Sequence, residues 1–292
     1  MRIINSRKPG DKFADVIFDI GANNGEDLEY YLMKAGKVIA VEANPSLCLL
    51  IEERYPEAIA KGNLIVENLV ITNKKEHNVD FYLHKTNPGL SQISTPNHAS
   101  AANFNKSTLP AINIVELIKR HTVGNQNPYY CKLDVEGFES PLLVALFAAG
   151  IYPQFLSAES HSAEVFSQIA SCGKYQSYKL VEGNTVHSKY RNARIDTMHG
   201  ERRYTFKAHS AGPFGEDILG GWYQVNDFFL KLSISGLGWK DIHVSQNEYS
   251  QYETMNCKRL APLYLREFLK SVYQIFFSKS FRDKVWIFRS RF

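Results

Sequence analysis

The residues best placed to do chemistry in this sequence are two pairs of titratable side chains. Asp134 and Glu136 directly follow the largely apolar segment 129–133, and Glu159 and His161 end the next such segment along the chain. Short runs of this kind predict buried parallel strands, whose carboxyl ends meet at one edge of a sheet. Four groups that can accept or orient the proton of a hydroxyl would then converge at that edge.

Two uses of these groups fit the sequence, which leaves both open. In the first, Glu159 or His161 removes the proton of an acceptor hydroxyl while Asp134 and Glu136 orient the acceptor. In the second, Asp134, Glu136 and Glu159 hold Mg²⁺ or Mn²⁺, since both ions favour oxygen ligands. The structural alternatives for His161 are support of a helix N-terminus and a simple surface position. A structural role is disfavoured for the acidic pair, whose burial without a ligand is costly.

A strand, a glycine-punctuated turn and a helix near the start of the sequence form the element that would position a cofactor. The turn has the pattern Asp19-x-Gly21-x-Asn23-x-Gly25, in which asparagine, a residue that tolerates positive φ, replaces the middle glycine of the usual fingerprint. Asp19 at the strand end would repel the pyrophosphate of a dinucleotide, but it suits the ammonium and sulfonium groups of S-adenosylmethionine (SAM). The turn therefore favours SAM over NAD.

The following strand ends at Glu42, where a carboxylate can accept hydrogen bonds from both hydroxyls of a cofactor ribose. Because NAD and SAM sites share this feature, Glu42 alone does not distinguish them. The segment 86–108 has no hydrophobic period and predicts an exposed loop that helps to close the cofactor site. The predicted cofactor-binding residues are Asp19, Gly21, Ala22, Asn23, Gly25, Glu42, Ala43 and Asn68.

Composition excludes several classes of protein. Hydrophobic residues make up 44% of the 292 positions and charged residues 22%, which is typical of a soluble globular protein. The net charge of +4 is too small to indicate a nucleic-acid partner. The cysteines are widely separated, which disfavours a zinc site built from paired cysteines. The first residues lack the apolar stretch of a secretory signal, and no apolar run of about 18 residues, as a membrane span requires, occurs. We therefore expect a cytoplasmic protein without a membrane span.

Strands and helices alternate up to residue 182, which predicts a doubly wound, mostly parallel α/β sheet. After residue 182 strands and helices no longer alternate regularly. A strand is expected near 204–209, and the Gly-Pro-rich loop 210–217 that follows is either a substrate lid or a tight crossover. The predicted regions are an N-terminal extension (1–13), a Rossmann-like cofactor domain (14–182), a distal sheet edge with a substrate-covering insertion (183–250) and a basic-aromatic tail (251–292).

With these segments the chain resembles the FkbM family of SAM-dependent methyltransferases. The resemblance covers roughly residues 14–245 and rests on the sequence blocks 18–26, 38–45, 132–139, 158–161, 210–217 and 239–243. The block from Lys132 to Glu139, Lys-x-Asp-x-Glu-Gly-x-Glu, is the most specific. One departure is Ala43, which stands where the family has proline and keeps a backbone amide. The resemblance implies a seven-stranded class I methyltransferase sheet, SAM as methyl donor, and O-methylation of a hydroxyl, often on a sugar.

The tail is rich in aromatic and basic residues, and Leu265, Phe268 and Leu269 recur at helical spacing. It predicts an amphipathic helix that docks on its own domain, in a homo-oligomer interface, or peripherally on the anionic inner surface of the cell membrane. The basic cluster within 189–203 is either a solvated face or a partner for the diphosphate of a nucleotide sugar. The alternative to an enzyme is a noncatalytic SAM-fold binding protein in a glycan biosynthesis system.

Overall fold

The computed structural model describes residues 16–124, 126–256, 260–266, 268 and 269, so the N-terminal extension and most of the tail lie outside the described residues. The strands are β1 (Val16–Ile20), β2 (Lys37–Val41), β3 (Leu64–Glu67), β4 (Val70–Thr72), β5 (Asn78–His84), β6 (Phe104–Asn113), β7 (Tyr130–Leu133), β8 (Phe155–Ser160), β9 (Ser177–Glu182), β10 (Ala193–Thr197), β11 (Gly200–Tyr204) and β12 (Gly238–Ser245). The α-helices are α1 (Leu28–Lys34), α2 (Pro45–Arg54), α3 (Pro56–Ala60), α4 (Ile114–His121), α5 (Glu139–Ala148), α6 (Ala163–Ser171), α7 (Val186–Lys189) and α8 (Val225–Ser235).

The central sheet has seven strands in the order β3-β2-β1-β7-β8-β12-β9. Neighbouring strands are parallel except at β12, which runs antiparallel to both β8 and β9. This confirms the predicted doubly wound, mostly parallel, seven-stranded sheet. The strand order reverses between β1 and β7, and ligands of such sheets bind in the crevice outside the strand ends at that point.

Helices cover the central sheet, so its strands are buried and their hydrophobic residues form the core. One hydrophobic cluster joins the sheet to α4, α5 and α6 through Leu117, Leu142 and Val165. A second cluster includes Leu28 of α1 and Phe206. Complete burial of each such side chain stabilises the fold by about 1.5–3 kcal/mol. This packing fixes the strand ends that carry the predicted site.

A second sheet has the order β4-β6-β5, and its strand β6 begins inside the segment that the sequence predicted to be a loop through residue 108. Residues 104–108 belong to β6, which pairs antiparallel with the whole of β5, so the predicted loop was wrong for these residues. Most side chains in the first part of β6 are exposed. The strand therefore depends on backbone pairing with β5 and lacks the alternating pattern that identifies a half-buried strand.

The strand predicted at 204–209 is also misplaced. The chain instead forms a hairpin of β10 and β11 that ends at Tyr204, and residues 205–209 continue without strand structure. Four of the five residues of β11 are exposed and three are charged, so the strand carries no apolar alternation. The hairpin packs on α1, where the rings of Tyr204 and Phe206 lie 5.9 and 4.9 Å from the ring of Tyr30.

No helix within the described part of the chain is long and apolar enough to cross a bilayer. Residues 260–266 are helical. Leu260 and Leu263 pack on the hydrophobic core, and Arg266 Nη2 lies 3.1 Å from Glu182 Oε1 at the end of β9. The start of the tail thus contacts its own domain. The predicted membrane and homo-oligomer contacts depend largely on residues outside the described part and stay predictions.

Candidate active site

A cavity of about 750 Å³ opens at the carboxyl edge of the central sheet, beside the switch in strand order. Its apolar end, between β2 and the second sheet, is lined by Val41, Ala43, Leu47, Val70, Ile71, Phe81 and Leu90 among others. Its polar end, where β7 and β8 finish, is lined by Asp134, Glu136, Glu159, His161, His209 and Trp239. The structure therefore brings all four predicted catalytic residues into one cavity.

The turn after β1 depends on backbone conformations that few residues adopt. Gly21 has a φ of +83°, and a Cβ added to it would stand 1.8 Å from the carbonyl oxygen of Asp134. At Gly25, with a φ of +73°, a Cβ would stand 2.9 Å from side chains of α1 and α2. Asn23 has a φ of +50°, the left-handed conformation expected of asparagine in this turn. Neither glycine leaves room for a side chain.

Glu42 ties this turn to the end of β2. Its two carboxylate oxygens accept hydrogen bonds of 2.8 Å from the backbone amides of Asn23 and Asn44. Burial raises the pKa of Glu42 to about 7, and the two hydrogen bonds oppose that rise. Each carboxylate oxygen has a second lone pair, and Glu42 lines the cavity, so the carboxylate can also accept hydrogen bonds from a ribose.

The other predicted cofactor residues occupy different positions. Ala43 lines the apolar end of the cavity, and Ala22 lines a small side pocket next to the polar end. The Asn68 amide donates to the carbonyl groups of Glu42 and Ala43, at 2.9 and 3.1 Å, so Asn68 holds the backbone of two cavity-lining residues without lining the cavity itself. Asp19 and Gly25 also lie outside the lining of the cavity and of the side pocket.

Asp19 instead faces a buried lysine, Lys132. The Lys132 ammonium lies 3.6 Å from Asp19 Oδ1 and donates a 2.9 Å hydrogen bond to Asp134 Oδ2. Burial alone would lower the pKa of Lys132, but Asp134 and Asp19 raise that pKa well above its usual value. Burial would likewise raise the pKa of Asp134, and Lys132 overcomes this and lowers it. Lys132 therefore keeps Asp134 ionised at the polar end.

Glu159, His161 and Glu136 form a cluster of titratable groups whose pKa values are all raised. His161 Nε2 lies 2.8 Å from Glu159 Oε2 and 3.6 Å from Glu136 Oε2. The hydrogen bond that His161 donates to the Glu159 carboxylate raises the pKa of His161 to about 9. Burial, reinforced by Asp134, raises the pKa of Glu136 to about 8 and that of Glu159 to about 7. Glu136 also has a φ of +53°, a strained conformation for a residue with a long side chain.

Two sets of side chains among the described residues have the spacing of a cation site, and neither is the predicted set of Asp134, Glu136 and Glu159. Ligand atoms of Glu136, Glu159 and His161 lie within 4.8 Å of one another, as do those of Asp134, Glu139 and Glu159. Glu139 is already engaged, because its Oε1 accepts hydrogen bonds of 2.9 and 3.3 Å from backbone amides just before α5. An acid in the first turn of a helix commonly has this role.

The Gly-Pro-rich segment 210–217 is attached to α1 at two points. Near its start, the Ser210 hydroxyl and the Ala211 amide donate to the two carboxylate oxygens of Asp27, the residue before α1. At its end, Asp217 accepts two hydrogen bonds of 2.7 Å from side chains of α1. Both carboxylates are buried. Of the two predicted alternatives, these contacts favour a fixed crossover over a movable lid.

Four charged residues at the side pocket were not identified as site residues from the sequence: Glu26, Asp27, Lys132 and Asp241. Lys132 and Asp241 lie inside buried strands. Because a buried charge requires a partner, their positions in the sequence could have indicated a charged cluster. Asp27 gives no such signal, because its partner Ser210 is 183 residues away along the chain.

The basic cluster within 189–203 lies outside the lining of the cavity and the side pocket. Arg194 pairs with Glu201 at 3.2 Å, and Arg203 donates to the backbone carbonyl of Asn192 at 3.1 Å. These exposed contacts are typical of a solvated surface.

Residues 19–180, more than half of the chain, match the family model of the methyltransferase FkbM domain. No curated protein sequence matches the chain. Among solved structures, an FkbM methyltransferase from Methylobacillus flagellatus KT is similar, with a TM-score of 0.37 and 14% identity over 57% of this chain and 40% of that chain. This chain thus spans less than half the length of that relative.

Two other solved structures are similar. A SAM-dependent O-methyltransferase from Thermotoga maritima has a TM-score of 0.35 and 8% identity over 82% of this chain and 62% of that chain. A putative RNA methyltransferase from Pyrococcus horikoshii has a TM-score of 0.31 and 14% identity over 83% of this chain and 78% of that chain. The family-model match covers the turn after β1 and both strand ends of the polar cluster, and by that match this protein belongs to the FkbM family of methyltransferases.

Proposed function

We propose that this protein is a SAM-dependent O-methyltransferase that acts on a hydroxyl of a sugar, nucleotide sugar or glycan. The observation that carries the proposal is the 2.8 Å contact between Glu159 and His161 beside two further carboxylates, at the polar end of a cavity whose other end suits an adenosine. Family membership supports methyl transfer. The proton-accepting cluster supports a hydroxyl acceptor, because a hydroxyl must lose its proton when it is methylated.

The residues around the cavity fit SAM. The apolar end near Leu47 and Phe81 suits an adenine ring, and the Glu42 carboxylate can accept hydrogen bonds from the ribose hydroxyls. The left-handed turn at Asn23 allows a close approach between backbone and ligand. The methionine part would then point toward the polar end, whose excess of carboxylates favours a cationic ligand.

When bound, SAM supplies a methyl group on a positive sulfonium, and the transfer to a hydroxyl oxygen leaves S-adenosylhomocysteine (SAH) and one proton. Glu159 accepts that proton, since a pKa of about 7 lets it be ionised before the reaction and protonated after it. His161 donates a hydrogen bond to Glu159 and orients it. Asp134, which Lys132 keeps ionised, and Glu136 accept hydrogen bonds from the acceptor.

A divalent cation is the alternative to this base. Mn²⁺ suits the mixed carboxylate and imidazole ligands of Glu136, Glu159 and His161 better than Mg²⁺, and either ion would lower the pKa of an acceptor hydroxyl. We favour the base because Glu159 and His161 already pair, and Lys132 balances Asp134. Activity that persists in EDTA supports the base. Activity that EDTA abolishes and Mn²⁺ or Mg²⁺ restores supports the cation.

The proposed function is tested by incubating the protein with SAM and a panel of methyl glycosides, nucleotide sugars and oligosaccharides. We expect SAH to be released and a methyl ether to appear on a sugar oxygen, as identified by mass spectrometry and NMR. Protein that binds SAM but methylates no member of the panel would contradict the proposal and favour the noncatalytic binding protein.

A further inference from the structure

We infer that Trp239 and His209 form a stacking platform for the acceptor, and that this acceptor is a neutral or amino sugar and not an acidic one. The inference rests on the proposed sugar methylation and narrows its substrate class. Both rings line the polar end of the cavity and also the side pocket, where Asp134 and Glu159 lie beside them. An acceptor on these rings would therefore reach the proposed base.

The position of Trp239 is built into the fold. Its side chain is 48% exposed, so the indole is available to a ligand. At the same time the indole lies against the backbone of Gly183, just after β9, where an added Cβ would stand 2.4 Å from the ring. Because Gly183 has no side chain, the indole has room to pack against the backbone beside the cavity.

His209 is positioned from a different part of the chain. The two residues after it, Ser210 and Ala211, both donate to the buried carboxylate of Asp27. The imidazole and the indole of Trp239 lie nearly parallel, with an interplanar angle of 20° and ring centroids 6.5 Å apart. Two separately anchored and nearly parallel rings therefore lie close together in the lining of the same cavity.

The charge around these rings selects among ligands. The side pocket is lined by the acids Glu26, Asp27, Asp134, Glu159 and Asp241, against Lys132 as the one lysine or arginine in that lining. Burial raises the pKa values of Asp27 and Asp241, whereas Lys132 keeps Asp134 ionised. A sugar ring matches both features, because its hydroxyls donate to carboxylates while its C–H groups pack on the electron-rich faces of aromatic rings. A uronate or phosphate in the same place would be repelled by the carboxylates, and an ammonium group would be attracted.

Saturation-transfer NMR on the protein saturated with SAH tests the platform without knowledge of the natural acceptor. The probes are the methyl glycosides of the gluco, galacto and manno series, each as the neutral sugar, the 2-amino sugar and the uronate. We expect transfer to the ring protons of neutral and amino sugars of at least one series, and at least tenfold less to the matching uronate.

Four variants connect this signal to the platform. Trp239→Ala should reduce the transfer at least tenfold, and Trp239→Phe should retain part of it because a flat ring remains. Gly183→Ala should also reduce it, since the new methyl displaces the indole without removing it. Phe229→Ala is the matched control, because Phe229 is similarly exposed, at 53%, but lies outside the cavity lining.

Calorimetric titration of each variant with SAH separates the two proposals. Normal SAH binding with loss of the sugar signal in both Trp239→Ala and Gly183→Ala supports the platform. Normal SAH binding with no sugar signal, with a signal unchanged by Trp239→Ala, or with uronates bound as well as neutral sugars overturns the platform and leaves the methyltransferase proposal standing. Parent protein that fails to bind SAH overturns both.

Discussion

The apolar and polar ends of the cavity are held in place by different interactions. At the apolar end and in the turn after β1 that joins it to the polar end, backbone geometry dominates: Gly21 and Asn23 adopt positive φ, and the Glu42 carboxylate accepts hydrogen bonds from the backbone amides of Asn23 and Asn44. At the polar end, charge dominates, because Lys132 and His161 lie among carboxylates whose pKa values depend on one another.

This difference separates the consequences of substitution. A backbone turn responds to added volume, and its failure should affect both folding and cofactor binding. A charged cluster tolerates a replacement of the same shape, but it loses its proton chemistry and its pH response. The two ends should therefore be distinguishable by variants that change volume at one end and charge at the other.

The largest effect is expected from Gly21→Ala. The new methyl would collide with the carbonyl oxygen of Asp134 at a backbone position that already has a φ of +83°, so the free energy of unfolding should fall by on the order of 3 kcal/mol or more. SAH binding should be lost as well. Urea denaturation and calorimetry measure both quantities.

Gly62→Ala is the matched control for this substitution. Gly62 has a similar φ of +71° but no atom within 4 Å of an added Cβ, so only the conformational cost of about 1–2 kcal/mol applies. If Gly21→Ala were no more destabilising than Gly62→Ala and still bound SAH, the contact between the turn and the end of β7 would not have the importance assigned to it.

Glu159→Gln should give the next largest effect, at the other end. The amide keeps the shape of the side chain but cannot accept a proton, so kcat should fall by about 10²–10⁴ while SAH affinity changes less than about twofold. Glu164→Gln, an exposed substitution on α6, serves as control. An equal loss of SAH affinity and kcat would place Glu159 on the cofactor and contradict its role as base.

The sequence was sufficient for the features that depend on local signals. Buried strands such as β1 and β7 are predicted by their runs of largely apolar residues. The positions of Gly21 and Asn23 predict the turn, because few residues adopt its backbone conformations. The convergence of Asp134 and Glu159 followed from the parallel sheet alone. These predictions used the spacing of residues within one element or at its end.

The remaining features depend on partners that are distant along the chain. Nothing near Asp27 indicates that it accepts hydrogen bonds from Ser210, and nothing near Gly183 indicates that an indole lies against it. Residues 104–108 form a strand because β5 lies beside them, although their own sequence is polar. Tertiary contacts decided each case, and they overrode or added to local preference.

Glu42→Ala should have a smaller effect, confined to the cofactor. Loss of the carboxylate removes the proposed partner of the ribose hydroxyls and frees the backbone amides of Asn23 and Asn44, so SAM affinity should weaken by about 1–3 kcal/mol. At saturating SAM, kcat should remain close to that of the parent. Calorimetry that showed unchanged affinity would remove Glu42 from the cofactor site.

The smallest expected effect is a pH dependence of stability that arises at the polar end. The pKa values of Glu136, Glu159 and His161 in the folded protein, about 8, 7 and 9, lie above the ordinary values of 4.5, 4.5 and 6.5. For groups shifted upward, stabilisation is complete below the ordinary pKa and is lost as pH rises through the folded pKa. The ligand-free protein should therefore become less stable between about pH 4.5 and 9.

Glu136→Gln should flatten this dependence, because the amide cannot ionise in the buried cluster. At pH 8 we expect the variant to have a higher Tm than the parent although it is the less active enzyme, and at pH 5 the two should unfold at similar temperatures. Glu42 and Asp19, whose pKa values burial raises to about 7, add the same trend to both proteins, so the flattening is partial. Thermal unfolding in EDTA-containing buffers, with Glu164→Gln as control, measures the difference. Parallel curves of Tm against pH for the parent and Glu136→Gln would show that ionisation of Glu136 does not oppose folding. The proposed difference between the two ends of the cavity, one held by backbone conformation and the other by charge, would then be wrong.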